Sequence, residues 1–268
     1  MARKIVVTSG KGGVGKTTVT ANVGRMFADL GYRVVLIDVD FGLNNLDVVL
    51  GLESSVNYDM LDVFEGRCRL KQALIQDKKR KNLYVLPSGR IEAQSLITGQ
   101  NVKLLIESLS KIFDFCIIDC PAGIDVGFHR ALSCAEEVLV VTTPTLTSIR
   151  DADKVINIIK SYKLDKVGLV VNRARGDLIL SNKMLYPLDI KEILKIPIIG
   201  VLPEEDSVFL SVGKELYKKC ESYKAYKVMC KNILNDKNVI YDVTSKYSGF
   251  FGSIKRSIKN CLWRIKNW

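Results

Sequence analysis

No stretch of this chain holds the roughly eighteen uncharged apolar residues that a membrane-spanning helix needs, so no transmembrane segment is expected. The first residues run straight into the strand pattern Ile5-Val6-Val7, so no cleaved signal or transit peptide is expected. The seven cysteines, at 68, 116, 120, 134, 220, 230 and 261, are an odd and scattered set. With no secretory signal they read as reduced thiols packed like small hydrophobes, not as a disulfide framework. Cys116-x-x-x-Cys120 lacks the spacing of a usual zinc knuckle, and the lone histidine, His129, is read as an ordinary packing residue. No internal repeat or low-complexity block appears.

The other notable scarcity is of acid near the end of the chain. After Asp242 there is no Asp or Glu, while Lys246, Lys255, Arg256, Lys259, Arg264 and Lys266 are basic, so this segment carries +6 of the formal +11. Such a balance favours nucleic acid or an anionic membrane, and the location of the charge decides between them.

The chain has 268 residues, 47% of them hydrophobic and 26% charged. That suits a globular protein with a sizeable core. Apolar runs alternate with helical patterns. Strands are expected at Ile5–Val7, Val34–Ile37, Tyr84–Leu86, Phe115–Ile118, Val138–Val141, Val167–Val171 and Ile196–Val201. Helices are expected at Lys16–Leu30, closed by Gly31, at Asn101–Phe113 and at Ser148–Tyr162. Near-continuous apolar strands mark a parallel sheet covered on both faces, and strand–helix alternation predicts a doubly wound α/β sandwich.

The chemistry sits just past the strand ends, where open α/β sheets bind ligands. After the first strand comes Gly10-x-x-x-x-Gly15-Lys16-Thr17. Its glycines let backbone N–H groups turn inward around phosphate oxygens. Lys16 supplies a point charge, Thr17 supplies a hydroxyl for Mg²⁺, and the following helix adds its positive N-terminus. Asp119 ends its own apolar run as a Mg²⁺-holding carboxylate would. Asp38 and Asp40 end the second strand on the same rim, and one of them is placed to orient an attacking water. Lys11, a second lysine inside the glycine turn, has no role in a standard phosphate loop.

The run Lys11-Gly12-Gly13-Val14-Gly15-Lys16-Thr17-Thr18 resembles the deviant Walker A motif of the MinD/ParA ATPase family. Within that family the chain is more similar to the septum-site-determining branch. The supporting runs are Asp38 to Asp47, Glu65 to Cys68, Gln72 to Ile75, Asp119 to Ile124, Ser148 to Asp153 and Val171-Asn172-Arg173. The resemblance implies a P-loop NTPase-like, mostly parallel sheet with helices on both faces, plus a C-terminal amphipathic helix. It implies a slow, partner-activated ATPase using ATP and Mg²⁺, with the nucleotide held by Gly10 to Thr18. By the same resemblance Lys11 reaches the partner's phosphates in an ATP-bound homodimer and Asp40 positions the hydrolytic water. Thr17, Asp38 and Asp119 hold the metal, Asn172 reads the adenine edge and backbone near Pro203 lines the base. Two departures stand out. Asn44 replaces the Arg of many relatives, which bears on partner contacts. Ser211 to Leu216 lacks the common Gly-Glu-Pro, which bears on the base pocket.

On a helical wheel the final segment gathers Phe250, Phe251, Ile254, Ile258, Cys261, Leu262, Ile265 and Trp268 in one broad arc, with Trp263 off that face and basic residues on its flanks. This is the pattern of an in-plane membrane helix. The expected organisation is an ATPase domain over 1–240, a linker over 241–249 and a membrane-targeting helix over 250–268. About five basic residues at about 1 kcal/mol each hold such a helix reversibly, and two on one dimer hold it ~10²-fold better. ATP then acts as a membrane switch. The implied partners are an anionic membrane, a MinC-type inhibitor, a MinE-type activator or plastid division-ring factors, with no nucleic acid. The implied location is a plastid stroma or bacterial cytoplasm, peripheral on the inner membrane. The runs Gly123 to Phe128 and Asp242 to Ser245 look more like the algal plastid relatives. Three other readings are weighed: a DNA-coating partition ATPase, an iron protein with a shared cysteine-bound cluster, and a nucleotide-holding scaffold.

Overall fold

Strands that are apolar at every position need cover on both sides, and the fold supplies it. The computed structural model describes residues 2–41, 45–89, 97–164, 166–249 and 252–254. In chain order the described elements are β1 (Arg3–Thr8), α1 (Lys16–Asp29), β2 (Val34–Asp38), α2 (Leu46–Leu50), α3 (Met60–Phe64), α4 (Leu70–Ala73), β3 (Ile75–Gln76), β4 (Leu83–Leu86), α5 (Gly99–Ser110) and β5 (Phe115–Asp119). There follow α6 (Val126–Leu132), β6 (Glu137–Thr142), α7 (Leu146–Ser161), β7 (Lys166–Ala174), α8 (Gly176–Ile179), α9 (Pro187–Leu194), β8 (Ile198–Pro203), α10 (Asp206–Phe209) and α11 (Glu221–Asn235).

The strands form one sheet in the order β3-β4-β2-β5-β1-β6-β7-β8. Each pairing is parallel except the antiparallel β3 edge. From β1 the chain runs through β2 to the β3 edge, returns through β4 to insert β5 between β2 and β1, then crosses to the other side at β6. That reversal makes a crevice beside β1 at the carboxyl ends.

Alternation along each strand divides the core. Ile5 and Val7 of β1 join Leu36, Ile117 and Leu139 under α1 and α11, together with Val23, Phe27, Tyr226 and Met229. Val6 faces the other way, joining Val35, Ile118 and Val140 under α5, α6 and α7, with Ile106, Phe128 and Ile156. Phe27 of α1 stacks on Phe115 with ring centroids 4.4 Å apart, and Tyr32 meets Phe115 edge-on at 5.2 Å.

The expected elements are present with shifted ends. Gly31 follows α1 with φ of 94°, a left-handed position that glycine adopts without a Cβ penalty. The sequence reading did not identify α11, α9, α6 or the β3 edge. The stretch 241–249, expected as a linker, is tethered to the body. Asn232 Nδ2 donates to Val239 O at 2.7 Å, the Tyr241 hydroxyl donates to Glu221, and Val243 and Tyr247 are buried. Of the expected membrane residues, Ile254 is described and is exposed. Phe250, Phe251, Ile258, Leu262, Trp263, Ile265 and Trp268 lie outside the described residues, as does Asn44. No described helix is long and apolar enough to cross a membrane.

Because Phe27 joins α1 to the central sheet, Phe27→Ala is expected to cost about 3–5 kcal/mol of stability, read as a lowered urea midpoint with one cooperative transition.

Candidate functional site

Strand register brings the polar residues together. Asp38 ends β2 and Asp119 ends β5, and the two are direct cross-strand partners. Asp119 is also level with Val7 of β1. The loop leaving β1 therefore begins beside both carboxylates.

That loop is shaped by glycine. Gly13 and Gly15 have φ of 77° and 96°, where side chains are strained. A Cβ on Gly10 would lie 2.1 Å from the carbonyl oxygen of Asp151 in α7, and one on Gly15 would lie 2.4 Å from Asn172 Nδ2. Gly12 faces open space. Outside contacts brace the loop: Gly123 N–H donates to Ser9 O at 3.1 Å, and Asn172 Nδ2 donates to Val14 O at 2.7 Å. The Ser9 hydroxyl donates to Lys11 O at 2.8 Å. The Gly15 cap of α1 offers no side-chain acceptor and the first turn holds no acid, so its N–H groups point at the space a phosphate would occupy. Lys16 is buried beneath the loop, whereas Lys11 is exposed.

Asp38 is buried and accepts from the backbone N–H groups of Asp40 (2.9 Å), Asn45 (3.3 Å) and Leu46 (3.3 Å). Burial, then the neighbouring Asp119, pushes its pKa up. Burial raises Asp119 to about 6 against the pull of the Thr17 hydroxyl, Lys16 and Thr20. The Thr20 hydroxyl donates to it at 3.0 Å. Asp40 is half-buried. Burial raises its pKa, Lys16 lowers it, and Asp125 raises it further.

Two crowded carboxyls beside a threonine hydroxyl form a hard-oxygen donor set that a divalent cation would relieve. Among the described residues no three His, Cys, Asp or Glu side chains gather into a chelating cluster. This suits Mg²⁺, which is held by one or two protein ligands plus water and phosphate oxygens.

Asp125 and Thr20 were not singled out in the sequence. Asp125 caps α6 by accepting from Phe128 N–H at 3.1 Å, and its charge acts on Asp40. The cap position of Asp125 was the readable signal. Thr20 shows no sequence signal; its contact spans 99 residues.

The base side is set by β7 and β8. Arg173 has φ of 58°, and the pairing of β7 with β8 slips between Val171 and Ala174. This bulge aims Asn172 at the loop, where one N–H of its amide braces Val14 O, leaving its second N–H and Oδ1 for other partners. Pro203 ends β8, and its carbonyl accepts from the Ser222 hydroxyl at 3.4 Å. The Glu205 carboxylate accepts from Ser222 N–H and Oγ, both at 2.7 Å. Burial pushes the thiols of Cys116 and Cys120 up, Cys116 to about 12. Neutral buried thiols are poor cluster ligands.

A family model described as an AAA domain matches residues 2–170. A relative from Chlorella vulgaris named as a septum site-determining MinD is 46% identical over 261 residues, 95% of this chain and 93% of that protein. The MinC:MinD cell division complex of Aquifex aeolicus aligns at 40% identity and TM-score 0.81, over 88% of this chain and 97% of that one. A MinD of Pyrococcus horikoshii complexed with Mg-ADP aligns at 28% identity and TM-score 0.78, over 87% and 96%. A ParA-family ATPase of Chlorobium tepidum shares the fold at 22% identity and TM-score 0.70, over 87% and 99%.

Gly10→Ala is expected to weaken nucleotide binding more than about tenfold in titration calorimetry, because the new methyl collides with the α7 backbone. The raised Asp119 also fixes a pH dependence. The folded, metal-free protein binds this proton more tightly than the unfolded chain, so the contribution is full below about pH 4 and is lost as pH rises through about 6. Its size is on the order of 3 kcal/mol, and Asp38 acts in the same direction. Urea midpoints without nucleotide are expected to fall less over this range in Asp119→Asn than in wild type.

Proposed function

The chain belongs to the MinD family of septum site-determining ATPases, and on that premise we propose that it binds Mg-ATP in the loop after β1. Two copies then face each other across the nucleotides, hydrolyse them and thereby time attachment to a membrane. The observation that carries this reading is the exposed Lys11 on a loop whose own site already holds a buried Lys16 and three carboxylates. One cation is surplus within the copy and useful across to another.

In this reading the loop N–H groups and Lys16 hold the phosphates. Thr17, Asp38 and Asp119 would hold Mg²⁺, which would neutralise charge on the phosphate oxygens. Asp40 accepts a hydrogen bond from the water that attacks the terminal phosphorus, and ADP leaves with phosphate released. Lys11 of the second copy opposes the charge on the transferring oxygens. Asn172 Oδ1 accepts from the amino edge of adenine, and backbone near Pro203 lines the base. Hydrolysis thus waits for pairing, because each site lacks one charge until the other copy arrives.

The basic segment 250–268 supplies the membrane contact, weak singly and firm in pairs. A MinC-type inhibitor is supported by the MinC:MinD complex to which the chain is similar, and a MinE-type activator or plastid division-ring factor completes the cycle. Similarity to algal and cyanobacterial proteins supports a plastid stroma or bacterial cytoplasm. The partition-ATPase reading rests on shared fold alone.

In light scattering, wild type is expected to double its mass with ATP and not with ADP, whereas Lys11→Ala stays single with both. A mass that no adenine nucleotide alters removes this mechanism. Asp40→Ala is expected to pair normally yet lose at least ~10²-fold in single-turnover hydrolysis.

A further inference from the structure

The sequence placed the decisive positive charge at the end of the chain, yet a second basic surface lies on the folded body. Helix α11 has 15 residues, about 22 Å of length. Its buried side, with Ala225, Tyr226, Met229, Cys230 and Ile233, faces the sheet and α1. At about 100° per residue, Lys224, Lys227 and Lys231 fall within about 60° of one another on the outer side, and all three are exposed. Exposed Lys218 and Lys219 lead into this stripe, and exposed Lys237 follows it.

The acids along this run are already taken. Glu221 accepts from Lys224 Nζ at 2.7 Å and from the Tyr241 hydroxyl, and Asp236 accepts from Lys166 Nζ at 2.8 Å. Lys218, Lys219, Lys227, Lys231 and Lys237 have no acidic partner among the described residues. An ordinary solvated helix face mixes both signs; here lysines outnumber acids and the one acid at the start of α11, Glu221, is paired with Lys224.

Beside the stripe the chain doubles back. The Asn232 side chain clamps the backbone of Val239 in both directions, accepting its N–H at 3.1 Å and donating to its carbonyl at 2.7 Å. The clamp leaves Val239, 57% exposed, and Ile240, 36% exposed, on the side of α11 that carries Asn232 and Glu221. The return segment then meets Glu221 through Tyr241, and Lys246 reaches Glu205 at 3.9 Å. The route to the basic segment therefore leaves from the N-terminal end of the same helix.

We propose that this face of α11, with the Val239–Ile240 edge, is a second contact with an anionic bilayer that orients the ATPase body on it. The proposal rests on the membrane reading of residues 250–268. Three observations favour lipid over duplex nucleic acid. The stripe is all lysine, with none of the planar guanidinium groups that grip phosphates bidentately. It is edged by a rigidly held apolar pair. The chain passes Glu221 of this helix, and then Glu205, on its way toward the basic segment.

The test is co-sedimentation of the full chain, with Mg-ATP, on phosphatidylcholine vesicles with and without phosphatidylglycerol. Lys227→Glu/Lys231→Glu is expected to partition about 20-fold or more less onto the anionic vesicles, with thermal midpoint and basal ATP hydrolysis unchanged. Equal partition of this variant and wild type overturns the proposal while leaving the role of 250–268 intact. Failure of wild type itself to bind anionic vesicles removes both readings. A variant that loses duplex DNA binding but keeps vesicle binding reassigns the face to nucleic acid and overturns the proposal.

Discussion

Two carboxyl groups, Asp38 and Asp119, are held side by side because adjacent parallel strands end in register. Both are buried, and the charge of Asp119 raises the cost of ionising Asp38. The architecture places this strain at the mouth of the phosphate loop. A divalent cation held by these carboxylates would relieve it. The Asp38 carboxylate is also tied to the backbone of Asp40, Asn45 and Leu46. The residue suited to orient water and the start of α2 thus hang from the group that responds to the metal.

The loop obtains its shape from its surroundings as much as from its glycines. Gly10 lies against the backbone of α7, Gly15 against Asn172, and Ser9 O accepts from Gly123. These contacts come from α7, β7 and the segment after β5, so the loop registers the position of every element around it. Lys16 is enclosed by that packing, while Lys11 on the open side is not. The same glycine turn therefore encloses one lysine and leaves the other facing outward.

Much of this was legible beforehand, for identifiable reasons. Runs such as Val34 to Ile37 and Phe115 to Ile118 are apolar at every position because both sheet faces are covered, so strand existence and parallel pairing could be read locally. The phosphate loop was legible because its glycines and Lys16 act through backbone and helix geometry set by neighbours in sequence. Helix α11 escaped because its buried face uses Ala225, Tyr226 and Cys230 among many lysines, a weak apolar signal until β8 and α1 are present to cover it. The stretch 241–249 reads as a linker because its anchor, Glu221, lies on α11, whose apolar signal in the sequence is weak.

The amino-acid order alone settled the α/β class, the nucleotide loop, the presence of a surplus lysine and the acid-free basic end. Each is written in residues close together along the chain. Only the tertiary structure decided which carboxylates crowd one another, that Asn172 braces Val14, and that Val239 is clamped to Asn232 of α11. Those outcomes depend on strand register, on the Arg173 bulge and on a chain reversal. Such contacts join residues far apart in sequence and exist only once the sheet has brought them together.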